Sequence, residues 1–111
     1  VGASDTHRFA DLCAEDGIPA AGILSRTVHA DERARVILFG FAAGEELSEH
    51  TSSRPATIQV LAGALELTVG VETVAGRPGT WVHMAPGTPH ALRARSPSLM
   101  LLTLFEDPCP R

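Results

Sequence analysis

Nowhere in these 111 residues does the chain stay apolar for the roughly 18 consecutive positions that a membrane-spanning helix needs, which excludes such a helix. The start lacks the basic stretch and following apolar run of a secretory leader, so we expect a cytoplasmic protein without a membrane partner. A surplus of basic residues is missing too. The formal net charge is −4, which argues against a nucleic-acid partner. Cysteine is scarce: Cys13 and Cys109 stand near opposite ends, neither in a CxxC context. Free thiols in a reducing compartment are expected, with a terminus-to-terminus bridge as the alternative. No half of the chain repeats the other and no low-complexity linker divides it, so one domain is expected. Also absent are a Ser-His-Asp arrangement, a phosphate-cradling glycine loop and a carboxylate pair placed for acid–base work.

What is present is a succession of short apolar runs. Hydrophobic residues make up 44% and charged residues 20%, enough to bury a core without disulfide or metal staples. Residues 4–16, "SDTHRFADLCAED", suggest a helical turn or short helix near 5–15, capped by Ser4 or Asp5, with Phe9, Leu12 and Cys13 as its stripe. Gly17 and Pro19 end it. From residue 22 the pattern changes. "GILSRTVHA", "RARVILFGFAA", "ATIQVLAG", "ALELTVG", "VETVA", "TWVHMA", "HALRAR" and "SLMLLTLFE" read as short strands. The segments between them, such as "SSRP", "AGRPG" and "PGTP", carry turn chemistry. Evenly spaced short strands with Gly/Pro punctuation predict an all-β sandwich or barrel. Residues 1–21 form an N-terminal segment and 22–111 the barrel.

A turn at Ala62-Gly63 predicts a hairpin in which Val60 opposes Leu65, Ile58 opposes Leu67 and Ala56 opposes Val69. Those pairs share an apolar face, and Gln59, Glu66, Thr57 and Thr68 occupy the other. In "PGTPHAL", residues 86–92, a histidine follows a rigid double-proline corner. By alternation His90, Leu92 and Ala94 share an inward face, and Arg93 and Arg95 point away. Met84, Met100, Phe39, Phe41, Phe105 and Trp81 read as core or pocket lining. His7 and His29 carry no spacing signal and read as surface residues.

The frame around these residues resembles the cupin family. Its first motif runs glycine, five residues, His-x-His, three or four residues, glutamate, then a hairpin glycine. Here Gly44 is followed by five residues and His50, and Gly63 closes the stretch. Its second motif runs glycine, five residues, Pro-x-Gly, two residues, histidine, three residues, asparagine, and here the proline is displaced to Pro86. Here Gly79, Pro86, Gly87 and His90 lie in that frame, so the core motifs span 44–63 and 79–94. The resemblance implies a single-domain jelly-roll barrel and commonly a homodimer. In metal-binding cupins the ligands are the two motif-1 histidines, the glutamate and the motif-2 histidine. His50 and His90 match two of the four. Ser52 stands for the second histidine, Ala56 (or Thr57 by the longer spacing) for the glutamate, and Ala94 for the motif-2 asparagine.

A metal site would therefore rest on His50 and His90, with His83 as the rescue ligand, its facing left open by the sequence. A pocket would be lined by His50, His90, Ala56, Ile58, Val60, Leu92 and Met84. The leading reading is a small-molecule-binding cupin with an incomplete site, holding zinc, iron, nickel or manganese weakly or not at all. The alternatives are a metal-dependent dioxygenase or isomerase using His50, His90 and His83, and a sensory or scaffold dimer with an empty barrel. Long apolar runs such as "VILFGFAA" and "LMLLTLF" supply more apolar surface than one sheet face uses, which predicts a homodimer.

Overall fold

The described residues from 22 onward form nine strands: β1 (Ile23–Ala30), β2 (Ala34–Phe41), β3 (Glu46–His50), β4 (Ala56–Ala62), β5 (Leu65–Val69), β6 (Glu72–Gly76), β7 (Trp81–Met84), β8 (His90–Ala94) and β9 (Ser98–Phe105). This computed structural model describes residues 6–13 and 17–106. The strands form two antiparallel sheets, ordered β1-β2-β9-β4-β7 and β3-β8-β5-β6. The inner faces meet in one core of Phe41, Ile58, Val60, Leu65, Leu67, Leu92, Met100 and their neighbours. Burial alternates along β4 and β8 as the pleat demands. The all-β architecture expected from the sequence is the one observed, and no described residue lies in a helix. No helix there is long and apolar enough to cross a membrane.

The helix expected near residues 5–15 is absent from its described part, 6–13. His7 and Phe9 stack edge-to-face at 5.7 Å. Side chains two apart point to different sides of a helix, so this contact belongs to an extended chain. Phe9 and Cys13 are exposed, and Leu12 alone of the expected stripe is half-buried. Residues 5, 14 and 15 of that stretch lie outside the described residues, as does Cys109. Cys13 is an exposed free thiol.

The hairpin expected between residues 56 and 69 does not form. β4 pairs with β7 and β9, while β5 pairs with β6 and β8. The facing of each strand is nonetheless as predicted: Ala56, Ile58 and Val60 meet Leu65 and Leu67 across the core instead of along a ladder. The cause is a corner at Gly63, where the chain changes sheets with φ 84°. A Cβ there would collide with the Pro97 carbonyl oxygen and Ser98 Oγ. Ser98 is wholly buried. Its hydroxyl accepts the Ala64 N–H at 3.0 Å and donates to the Ser96 carbonyl at 2.7 Å.

The outer face of the five-stranded sheet is partly covered by the N-terminal segment. A Cβ on Gly40 would collide with the Gly17 carbonyl. Leu38 and Leu99, outward by register, are buried beside it. Trp81 and Phe105, read from sequence as core or lining, also face outward and are exposed. Each alternates with a core neighbour: Val82 with Trp81, and Leu104 with Phe105.

Candidate functional site

The corner before β8 is fixed by backbone hydrogen bonds. Gly87 adopts φ 81°, a region closed to most side chains. Its N–H donates to the Ser52 carbonyl at 2.8 Å, and the Thr88 hydroxyl donates to the Ala85 carbonyl at 2.8 Å. The Pro89 carbonyl accepts the Gly70 N–H at 2.8 Å. The chain therefore enters β8 with His90 facing inward, 7% exposed.

His50 reaches the same place by a different device. β3 pairs Leu47 with Leu92 and then His50 with His90. The ladder is interrupted between the two pairs, with Ser48 and Glu49 on β3 against Ala91 alone on β8. This is a β-bulge, which re-aims the residues that follow it. In an unbroken ladder Glu49 would stand opposite His90. The imidazole rings lie 4.2 Å apart between centroids, at 61°.

Hydrogen bonds settle the tautomers. His50 Nδ1 lies 2.8 Å from the Ser48 carbonyl, and His90 Nδ1 lies 2.9 Å from the Thr88 carbonyl. A carbonyl oxygen only accepts, so each Nδ1 carries the proton. In each neutral ring Nε2 then keeps a lone pair for a metal or a ligand N–H or O–H. A backbone carbonyl on the other ring nitrogen is how metal-binding histidines are commonly oriented.

The remaining donor set does not complete a metal centre. Ser52 Oγ accepts the Arg54 N–H at 3.1 Å and serves its own turn. Ala56 is buried beside Met84 and offers a methyl group. His83 does not join the pair. It pairs with Thr57 on β4, on the outer face of the five-stranded sheet, and is exposed; Met84, its neighbour of opposite facing, is the core residue. Among the described residues no group of three or more His, Cys, Asp or Glu is placed to hold a metal. A tightly held transition metal needs three or more such ligands, so the fit is that of a two-imidazole site completed by water or ligand.

Of the expected pocket residues, Ala56, Ile58, Val60, Leu92 and Met84 all belong to the closely packed core. The histidine pair stands at the margin of that core. His50, His90, Val69 and Glu72 form one row across β3, β8, β5 and β6, with Leu47, Leu92, Leu67 and Val74 as the next row. The sequence reading missed β3 as a strand. "ELSEH" has a single apolar residue, which suffices for an edge strand but leaves no alternation to read. It also passed over Glu72, which faces inward from the tip of the β5–β6 hairpin.

Outside this row, His29 Nε2 bonds Asp31 at 2.8 Å, and the Asp31 carboxylate accepts the Arg33 and Ala34 N–H groups at 2.7 and 2.9 Å. The His29 hydrogen bond is the largest cause, followed by the two amides, of an Asp31 pKa lowered to about 2. These contacts shape the β1–β2 turn.

A family model described as "Cupin domain" matches residues 26–105. No curated protein matches the sequence. Among solved structures, a conserved protein of unknown function from Streptococcus pyogenes is 30% identical, with 92% of this chain and 90% of that chain covered and a TM-score of 0.81. An RmlC-like cupin protein from Desulfovibrio desulfuricans is 24% identical, with coverage of 89% and 96% and a TM-score of 0.80. A salicylate 1,2-dioxygenase from Pseudoaminobacter salicylatoxidans is 17% identical, with coverage of 78% and 26% and a TM-score of 0.71. The last two likenesses concern the fold alone.

Proposed function

The chain belongs to the cupin family, and from that premise we propose that it binds a small molecule at the His50–His90 end of its barrel, with any divalent metal held weakly. The observation that carries this reading is the pair of imidazoles 4.2 Å apart, each with Nδ1 committed to a carbonyl. Nε2 lone pairs on two neighbouring rings suit a ligand that presents hydroxyl or N–H donors. Leu47, Leu92 and Val69 supply apolar contact on the same face. A few placed polar groups on an apolar wall is the usual make-up of a small-molecule site.

Zinc, iron, nickel or manganese would be held by His50 and His90, and would polarise a bound oxygen group. With Ser52 and Ala56 in the other ligand positions, such a metal is expected at substoichiometric occupancy. A metal-dependent dioxygenase or isomerase is the second reading; it asks for ligands these positions do not offer. Elemental analysis of the purified protein separates the two. Low metal content, with binding lost in His50→Ala and His90→Ala, supports the proposal. One equivalent of metal held through dialysis overturns it in favour of the enzyme.

A further inference from the structure

We propose that the seam between the edges of β6 and β7 is a second ligand site, which takes a small apolar molecule carrying an ammonium group. β6 ends the four-stranded sheet and β7 ends the five-stranded one. Between them lies a cavity of about 240 Å³. Leu67, Val69, Val74 and Val82 form its apolar wall, and Glu72, Trp81 and the His83 imidazole border it. Val74 pairs with Leu67 and so faces inward, yet it is 45% exposed. An inward valine left open to solvent marks a place where the two sheets part without covering each other.

Glu72 sets the sign of the ligand. It is the only carboxylate among the residues lining this cavity. The ion pairs among the described residues are His29–Asp31, Arg54–Glu106 and Arg95–Glu66, so Glu72 has no cationic partner there. An unpaired carboxylate beside valine and leucine walls matches an amphiphile whose body is apolar and whose head is positive. Glu72 is exposed, so the head stays hydrated at the mouth while the body enters the seam. The cavity lies below the usual range of about 300–1,000 Å³ for drug-sized ligands, which limits the body to a single ring or a short chain. The site adjoins the histidine pair across Val69, which stands between His90 and Glu72 in their shared row.

The chain reports on this site unaided. It has one tryptophan and no tyrosine, so intrinsic fluorescence comes from Trp81 alone. The experiment titrates phenethylamine, 2-phenylethanol and 3-phenylpropionate at fixed protein concentration, following Trp81 emission and methyl NMR shifts of Leu67 and Val74. Phenethylamine is expected to bind tightest in the wild type. Glu72→Gln should weaken it by about five-fold, the scale of one exposed ion pair, and Glu72→Lys should transfer the preference to 3-phenylpropionate. His50→Ala and His90→Ala should leave these titrations unchanged. Equal binding of amine and alcohol, an amine preference that survives Glu72→Lys, no response of either probe, or loss of amine binding in the histidine variants would each overturn the proposal. The last outcome would return the ligand to the histidine pair. Failure of metal or ligand binding at that pair leaves the seam untouched.

Discussion

His50 stands opposite His90 because β3 carries one more residue than β8 between this pair and the Leu47–Leu92 pair. The extra residue places an imidazole, not the Glu49 carboxylate, beside His90. The Ser48 carbonyl within the bulge then holds the His50 ring by its Nδ1 proton.

The two rings should act as a unit. Substituting either histidine by alanine should leave the circular dichroism spectrum unchanged and abolish most metal binding, since one imidazole cannot chelate. Isothermal titration with zinc or nickel reads this directly. Acidification should release the metal from the wild type, because protons compete for the same Nε2 lone pairs. A single variant that keeps wild-type affinity would show that the pair does not act together.

The Gly63 corner should be one of the most sensitive points in the chain. Ser98→Ala leaves the half-buried Ala64 N–H and Ser96 carbonyl without their partner, a loss of about 1 kcal/mol. Gly63→Ala should cost more. It adds the left-handed backbone penalty to collisions with Pro97 and Ser98. Urea denaturation of both variants gives the order. A Gly63→Ala protein as stable as the wild type would contradict the corner's role.

That corner also marks where the sequence stops being legible. Facing was readable because alternation is local: Ala56, Ile58, Val60, His90 and Leu92 all point where their parity puts them. Partnering was not. Ser98 holds Ala64 from 34 residues away, and nothing between Ala62 and Leu65 announces that the chain is leaving one sheet for the other. The histidine site was legible from the glycine and proline frames around His50 and His90. Its geometry was not, since a bulge at Ser48 and Glu49 has no glycine to flag it. His83 was undecidable because Trp81, Val82, His83 and Met84 offer no polar–apolar contrast. Its exposure follows from register with Thr57, a partner 26 residues earlier in the numbering.

Asp31 gives an acid dependence with a definite sign. Its folded pKa lies near 2 against an ordinary 3.8. A depressed carboxylate stabilises the fold above its unfolded value, and that contribution is lost as pH falls through about 2. Asp31→Asn should therefore flatten the stability profile between about pH 4 and pH 2. Glu66, lowered chiefly by its 2.7 Å hydrogen bond from Arg95, contributes in the same direction. Acid unfolding followed by tryptophan emission tests this. An unchanged profile for Asp31→Asn would assign the acid sensitivity elsewhere.

We propose that two copies of the chain associate through the outer face of the five-stranded sheet. β2 and β9 are apolar on both sides. Phe39, Phe41 and Met100 fill the core, while Val36, Leu38, Leu99 and Leu101 face outward. Described N-terminal residues lie against part of this face, at Gly40 and beside Val36, and Leu38 and Leu99 are buried, while Leu24, Trp81 and Phe105 remain exposed around it. A sheet apolar on both faces is stable in water when something covers the second one. A second copy offers the same patch, as a two-fold interface requires. Light scattering at high micromolar concentration should give about twice the 11.7 kDa of one chain. Leu101→Glu, at the centre of the face between Leu38 and Gln59, should shift the protein to monomer while its circular dichroism stays β. A wild-type protein that remains monomeric at that concentration would rule the association out. A Leu101→Glu variant that stays folded and dimeric would move the interface to another surface.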